Sequence, residues 1–237
     1  MTPPAGESGR PRFTRSLWFL GLVALAMALL LKTFLLQAFF IPSESMEHTL
    51  HGCQGCTGDR VLVNKLVYRF REPHRGEIVV FSGKGTRFGV IPVPPARNAI
   101  QRLARNVQGA IGLGSANDSD FIKRVIGVPG DVVACCTNGH VTVNGAELIE
   151  PYVNPDDPGP IPDFPPVIVP KGQLFVMGDN RFHSADSRVN GTVPIHNVVG
   201  RAFAVFYPLS RAKRLPVPPP FAAAFVVLRR RDGLVTT

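Results

Sequence analysis

Charge is sparse in this chain. Only 18% of its 237 residues are charged, yet 45% are apolar, which excludes an intrinsically disordered protein. Acidic residues are the scarcer sign, 17 against 26 Lys and Arg, leaving a net charge of +9. Aromatic residues do not gather beside the basic ones, so the positive balance carries no nucleic-acid footprint. It fits an anionic membrane or a basic surface. Neither a G-x-S-x-G elbow nor an H-E-x-x-H helix is present, which removes two large hydrolase classes. There is no internal repeat. Gly and Pro, 23 of each, are plentiful enough to argue against a helical bundle and for a mainly β, loop-rich fold.

One long apolar run stands near the start. Leu17 to Leu31 carries no charge, Lys32 interrupts, and Thr33 to Ile41 resumes with Gln37 as its one strongly polar member. About 25 residues of helix would measure roughly 37 Å, enough to cross a bilayer. A cleaved leader would need a small-x-small site after its apolar core. Bulky Phe34, Leu35, Leu36, Phe39 and Phe40 follow instead, so an uncleaved anchor over 16–40 is expected. Arg10, Arg12 and Arg15 precede the run, and no basic residue occurs in the ten after it. This predicts a cytoplasmic tail over 1–15 and an extracytoplasmic remainder. Lys32 would snorkel toward the outer face. Phe221–Leu228 is too short to span and reads as a last core strand.

Beyond the anchor, strands alternate with turns. Runs at 60–66, 76–81, 121–128, 132–136, 140–143, 173–177 and 198–206 read as strands. Asn138-Gly139 and Asn144-Gly145 signal hairpins, and Pro129-Gly130-Asp131 a turn. Ile100, Leu103, Val107 and Ile111 follow a helical period, predicting a short helix over 96–112, whereas 152–170 reads as loop. The soluble part is therefore expected to be a β-rich domain over 41–210, with insertions at about 83–120 and 137–172. A basic, Pro-rich tail over 211–237 follows. Cys53 and Cys56 form a C-x-x-C, and Cys135 and Cys136 are adjacent. Outside the cytoplasm they read as structural disulfides, joining the two clusters or not. Four thiolates on zinc, or a thioredoxin-like site, are weaker readings, because adjacent cysteines rarely ligate one ion and the C-x-x-C lacks a βαβ setting.

Three segments stand out: Pro42-Ser43-Glu44-Ser45-Met46-Glu47-His48-Thr49-Leu50, Phe121 to Asp131 with Lys123-Arg124 inside it, and Gly178-Asp179-Asn180-Arg181-Phe182-His183-Ser184-Ala185-Asp186-Ser187-Arg188. In a strand, 121, 123 and 125 share a face, which sets Lys123 between Phe121 and Val125. Burial there would lower the amine's pKa, and a neutral amine can take a proton from a serine hydroxyl. Alternation alone favours a Lys123 that snorkels to a rim. Arg124 cannot be a base, since guanidinium does not deprotonate in proteins. Ser45 stands four residues past Ile41, at the outer surface of the expected anchor. His183 beside Ser184 leaves a Ser/His arrangement open.

Together with Gly58-Asp59-Arg60-Val61-Leu62-Val63-Asn64-Lys65, these segments resemble the conserved boxes of type I signal peptidases, membrane-bound Ser-Lys proteases of bacterial secretion. All four boxes occur in order after the anchor and cover about 40 residues. The resemblance implies a signal-peptidase-like β-rich catalytic domain on one transmembrane helix, in the cell membrane. It implies Ser45 as nucleophile and Lys123 as general base. Ser43, with the Ser45 backbone N–H, would form the oxyanion hole, and Ser184 would orient the lysine. Met46 would pack beside the site, while Asp179, Arg181, Asp186 and Arg188 would support it. Secretory preproteins emerging from the translocation machinery would be the partners, cut after an Ala-x-Ala pattern beside membrane lipid, with no metal, cofactor or nucleic acid. His48 departs from the family's usual Pro, and 51–57 looks inserted. The stretch 83–120 is long and 132–174 short, and the single anchor resembles Gram-positive, actinobacterial members. Two rival classes are a non-enzymatic membrane-anchored β module and a self-cleaving Ser-Lys repressor. Such repressors are cytosolic and cleave within themselves, so the anchor argues against them.

Overall fold

A strand that must bury one face alternates large apolar residues with polar ones. Arg60–Asn64 (β2) buries Val61 and Val63 on one face and leaves Arg60, Leu62 and Asn64 half-buried on the other. The computed structural model describes residues 18–27, 35–53, 56–89, 98, 120–137, 139–153 and 161–219. The larger sheet contains Leu36–Phe40 (β1), β2, Ile78–Ser82 (β3), Asp120–Gly127 (β4), Gln173–Met177 (β9), Val193–Pro194 (β10), Val198–Tyr207 (β11) and Lys213–Arg214 (β12). Its order is β1-β2-β11-β3-β4-β9-β10, with β12 on β11, and its pairings are antiparallel. A smaller sheet, β7-β6-β5-β8, holds Val132–Thr137 (β5), His140–Val143 (β6), Ala146–Glu147 (β7) and Phe164–Ile168 (β8). Among the described residues the regular structure also includes a helical stretch over 18–27, two one-turn helices, Val67–Phe70 (α1) and Ser187–Asn190 (α2), and several 3-10 turns. A mainly β fold is thus borne out.

β3, most of β4 and β9 are buried on both faces. In β3, Ile78 and Val80 enter one core with Met46, Leu50, Val61 and Val63, while Val79 and Phe81 enter another with Val125, Leu174 and Val176. A third core, with Phe175, Met177, Val133, Val141 and Val143, joins the large sheet to the small one. Asn144 (φ 55°) and Gly145 (φ 76°) turn the chain from β6 to β7 in the left-handed region that this pair tolerates. Gly130 (φ 88°) turns it from β4 into β5.

Several expectations change. Leu36–Phe40, assigned to the anchor, is a strand in register with β2 (Leu36↔Asn64 to Phe40↔Arg60), and Phe39 is buried. Residues 18–27 are helical and exposed throughout, and no helix among the described residues is long and apolar enough to cross a membrane. The 152–170 stretch contains β8, so it is not all loop. The domain does not end at 210: Lys213–Arg214 pairs with β11 and Leu215 is buried in the first core. The disulfides lie within the clusters, Cys53–Cys56 and Cys135–Cys136, and do not join them. The predicted helix over 96–112 (Asn98 apart), the strand over 221–228 and Asn138 lie outside the described residues.

Candidate active site

β1 delivers the chain to the site. Ile41 N donates to Asp59 O (2.9 Å), holding the exit of β1 against the entry to β2. A 3-10 turn, Glu44–Met46, follows, with Ser43 in extended conformation before it. Met46 and Leu50 are wholly buried, and Leu50 N donates to Met46 O (2.8 Å). These two anchors fix the turn from below, so Ser45 is not free to drift. From the other side, Asn180 N donates to Ser45 O and Asn180 Nδ2 to Glu44 O, each at 3.2 Å. A Cβ on Gly178 would lie 2.3 Å from both Ser45 O and Ser184 Oγ, so only glycine lets these segments meet.

Lys123 reaches the same point from β4. Its Nζ lies 2.6 Å from Ser45 Oγ, donating to it, and both side chains are buried. Ser43 Oγ lies 3.3 Å from Ser45 Oγ. Burial pushes the Lys123 pKa down from its ordinary 10.5 to about 8. Asp186 and then Asp179 oppose that fall, and Arg188 assists it. Lys123 is therefore buried, and the rim placement that alternation favours is not found.

The acids near Lys123 are committed to arginines. Asp179 accepts from Arg124 Nε (2.8 Å) and Nη2 (2.5 Å). Asp186 accepts from Arg188 Nε (2.8 Å) and Nη2 (2.9 Å), and also from Gly178 N (3.0 Å). It caps α2 as well, accepting from Arg188 N (3.2 Å). Arg181 binds Glu150 through Nη1 (2.9 Å) and Nη2 (2.6 Å), and its Nε donates to Gly178 O (2.9 Å). Arg124 also lies over the Tyr152 ring, 4.0 Å from its centroid. Sequence reading missed Glu150, Tyr152, Asn180 and Gly178. Asn180 and Gly178 lay inside a noted box; Glu150, a lone acid 31 residues from Arg181, gave no signal.

Ser184 behaves differently from expectation. Its Oγ is buried against the site but makes no hydrogen bond, so the expected bond to Lys123 is not formed here. His183 Nδ1 pairs with Asn180 Oδ1 (3.2 Å), and among the described residues no bond joins it to a serine. A cleft of about 250 Å³ opens beside Ser45 and Lys123. Phe39, Ile41, Val80 and Ile122 line it with apolar surface, and Asp120 and His183 with polar. On its wall, residues 120–123 of β4 pair with β3 but not with β9, whose ladder to β4 begins at Arg124.

A buried serine hydroxyl in contact with an amine of lowered pKa, beside an apolar cleft whose wall strand has no second strand partner at 121–123 among the described residues, is the equipment of a serine hydrolase acting on extended peptides. The comparisons agree on the class. The family described as Signal peptidase, peptidase S26 matches residues 14–207. A Mycobacterium tuberculosis protein named "Signal peptidase I" is 41% identical over 211 residues, spanning 81% of this chain and 72% of that one. A Mycobacterium leprae protein named "Probable signal peptidase I" is 38% identical over 230 residues, spanning 85% and 80%. The Bacillus amyloliquefaciens "Signal peptidase I" is 32% identical over 216 residues, spanning 86% and 93%. The chain belongs to the signal peptidase family, peptidase S26, and is an enzyme of that family.

Proposed function

We propose that the protein removes N-terminal signal peptides from secreted preproteins, with Ser45 as nucleophile and Lys123 as general base. The observation that carries this reading is the 2.6 Å contact between Lys123 Nζ and Ser45 Oγ in a buried setting. The preprotein lies extended in the cleft and adds to β4 at 121–123, the side of the strand that takes no second strand partner among the described residues. Alternate side chains enter the apolar wall, where small ones fit, which suits an Ala-x-Ala pattern. Neutral Lys123 accepts the Ser45 proton as Oγ attacks the scissile carbonyl. The Ser43 hydroxyl and the Ser45 backbone N–H stabilise the oxyanion. The protonated lysine gives its proton to the leaving amine. Lys123 then activates the water that releases the acyl group from Ser45. Asp179, Arg181, Asp186 and Arg188 hold the surrounding backbone, and Ser184 packs against the reacting pair.

The charge-free run beginning at Leu17 supports a membrane anchor whose helix ends before β1, with the N-terminus cytoplasmic and the domain outside. Ser45 then works close to membrane lipid, where a preprotein leaves the translocation machinery. The test is processing of an Ala-x-Ala preprotein in detergent by the wild type and by Ser45→Ala. Cleavage after the small residue by the wild type alone is expected. Cleavage by Ser45→Ala would overturn the nucleophile, and no cleavage by folded wild type would overturn the substrate class.

A further inference from the structure

Three metal-ligating side chains gather just past the site, on residues the cleavage chemistry does not use. The ligand atoms of His51, Cys53 and Cys56 all lie within 4.8 Å of one another, and His51 Nε2 is 3.7 Å from Cys56 Sγ. In tetrahedral zinc sites, Zn–S of about 2.3 Å and Zn–N of about 2.0 Å place ligand atoms roughly 3.5–3.8 Å apart. The imidazole is already oriented for such a role. Its Nδ1 lies 2.6 Å from Glu47 Oε1, so the ring proton belongs on Nδ1 and the Nε2 lone pair is turned toward the sulfur. Gly52 N also donates to Glu47 Oε1 (3.2 Å). The His51 backbone is clasped by Asp59: His51 N donates to Asp59 Oδ2 and Asp59 N to His51 O, both at 2.8 Å. Arg211 Nε holds the other carboxylate oxygen at 2.7 Å. His51, Cys53 and Cys56 are each partly exposed, so an ion has access from solvent.

We propose that His51, with Cys53 and Cys56 in the dithiol state, forms a site for one zinc-class divalent cation. The two sulfurs are joined in this structure. Opening that bond takes two electrons and two protons from a dithiol reductant, which leaves as its own disulfide. Each thiol then releases a proton to solvent as its sulfur binds the ion, while His51 binds through Nε2 and keeps its Nδ1 proton on Glu47. Water completes the tetrahedron. The cation thus replaces the disulfide as the cross-link. That cross-link braces the approach to Ser45: a Cβ on Gly52 would meet Ser43 O at 2.5 Å and Ile41 O at 2.7 Å. This inference stands independently of the peptidase reading.

The test is cobalt(II) titration of the full-length protein in detergent, reduced with a phosphine or left oxidised. Reduced wild type should take up one equivalent with a thiolate-to-cobalt charge-transfer band and tetrahedral visible bands, all lost on adding zinc. The oxidised protein should show none. Cys53→Ser/Cys56→Ser should abolish the bands, while Cys135→Ser/Cys136→Ser, at the other thiol cluster, should retain them. Glu47→Gln should weaken binding about 10- to 100-fold. X-ray absorption of zinc-loaded, reduced wild type needs no variant to fold, and should show two sulfurs and an imidazole. Absence of the bands in reduced wild type, their survival without Cys53 and Cys56, or a zinc shell lacking two sulfurs would overturn the proposal.

Discussion

Lys123 is an expensive residue to keep where it is. Removing an ammonium from water disfavours its charged form, so the folded protein holds Lys123 near pKa 8 where the unfolded chain would have 10.5. Between these values the unfolded state binds more protons, and stability should rise as pH climbs from about 8 toward 10.5. Below 8 the full cost is present. Replacing the amine with an apolar isostere should remove that cost. Lys123→Met is therefore expected to abolish processing and, at pH 7, to raise the midpoint of urea unfolding. A lowered midpoint would mean that the lysine is a structural group. Ser45→Ala should cost roughly a thousandfold or more in processing rate with little change in stability, as for other serine nucleophiles. The unpartnered Ser184 hydroxyl makes a contrasting case. Removing a buried hydroxyl that lacks a hydrogen bond costs little. Ser184→Ala should leave thermal stability unchanged or slightly higher, with a smaller activity loss than Ser45→Ala, which paired melting and rate measurements would check.

At the scale of elements, the site is the meeting of three segments, and their closeness rests on Gly178. Gly178→Ala forces a methyl group into contact with Ser45 O and Ser184 Oγ. The 3-10 turn or the 178–188 segment must then move. We expect the processing rate to fall at least tenfold, and a variant with wild-type kinetics would contradict this packing. The box residues were readable from sequence because each box is a short run of residue types in fixed spacing, although its members meet partners far away in the chain. β1 was not readable, because a continuous apolar run carries no period that separates helix from strand, and Leu36–Phe40 abuts a longer one. β8 hid for another reason. Pro165 and Pro166 read as loop, but β8 is an edge strand of the small sheet, where a missing N–H is tolerated. The cysteine pairing was equally hidden, since spacing alone does not choose among partners.

Across the whole molecule, carboxylates buried in the fold are held by arginines, several of them from distant parts of the chain. Arg124–Asp179, Arg181–Glu150 and Arg188–Asp186 surround the catalytic segments, and Arg211–Asp59 ties the turn after β11 to the entry of β2. Breaking a buried pair leaves an uncompensated charge. Asp179→Ala is expected to lose about 3–5 kcal/mol of unfolding free energy, measurable in urea. Residues 211–215 belong to the same unit through β12 and Leu215, and Leu215→Ala should cost about 2–3 kcal/mol. These effects concern folding, and they leave the chemistry at Ser45 to be tested by itself. The most direct test is the pH dependence of kcat/KM for a preprotein or a short signal-peptide substrate. With neutral Lys123 as the base, the rate should plateau above about pH 9 and fall tenfold per unit below the lysine's pKa of about 8, to roughly a hundredth at pH 6. A rate independent of pH from 5 to 9 would contradict Lys123 as the base.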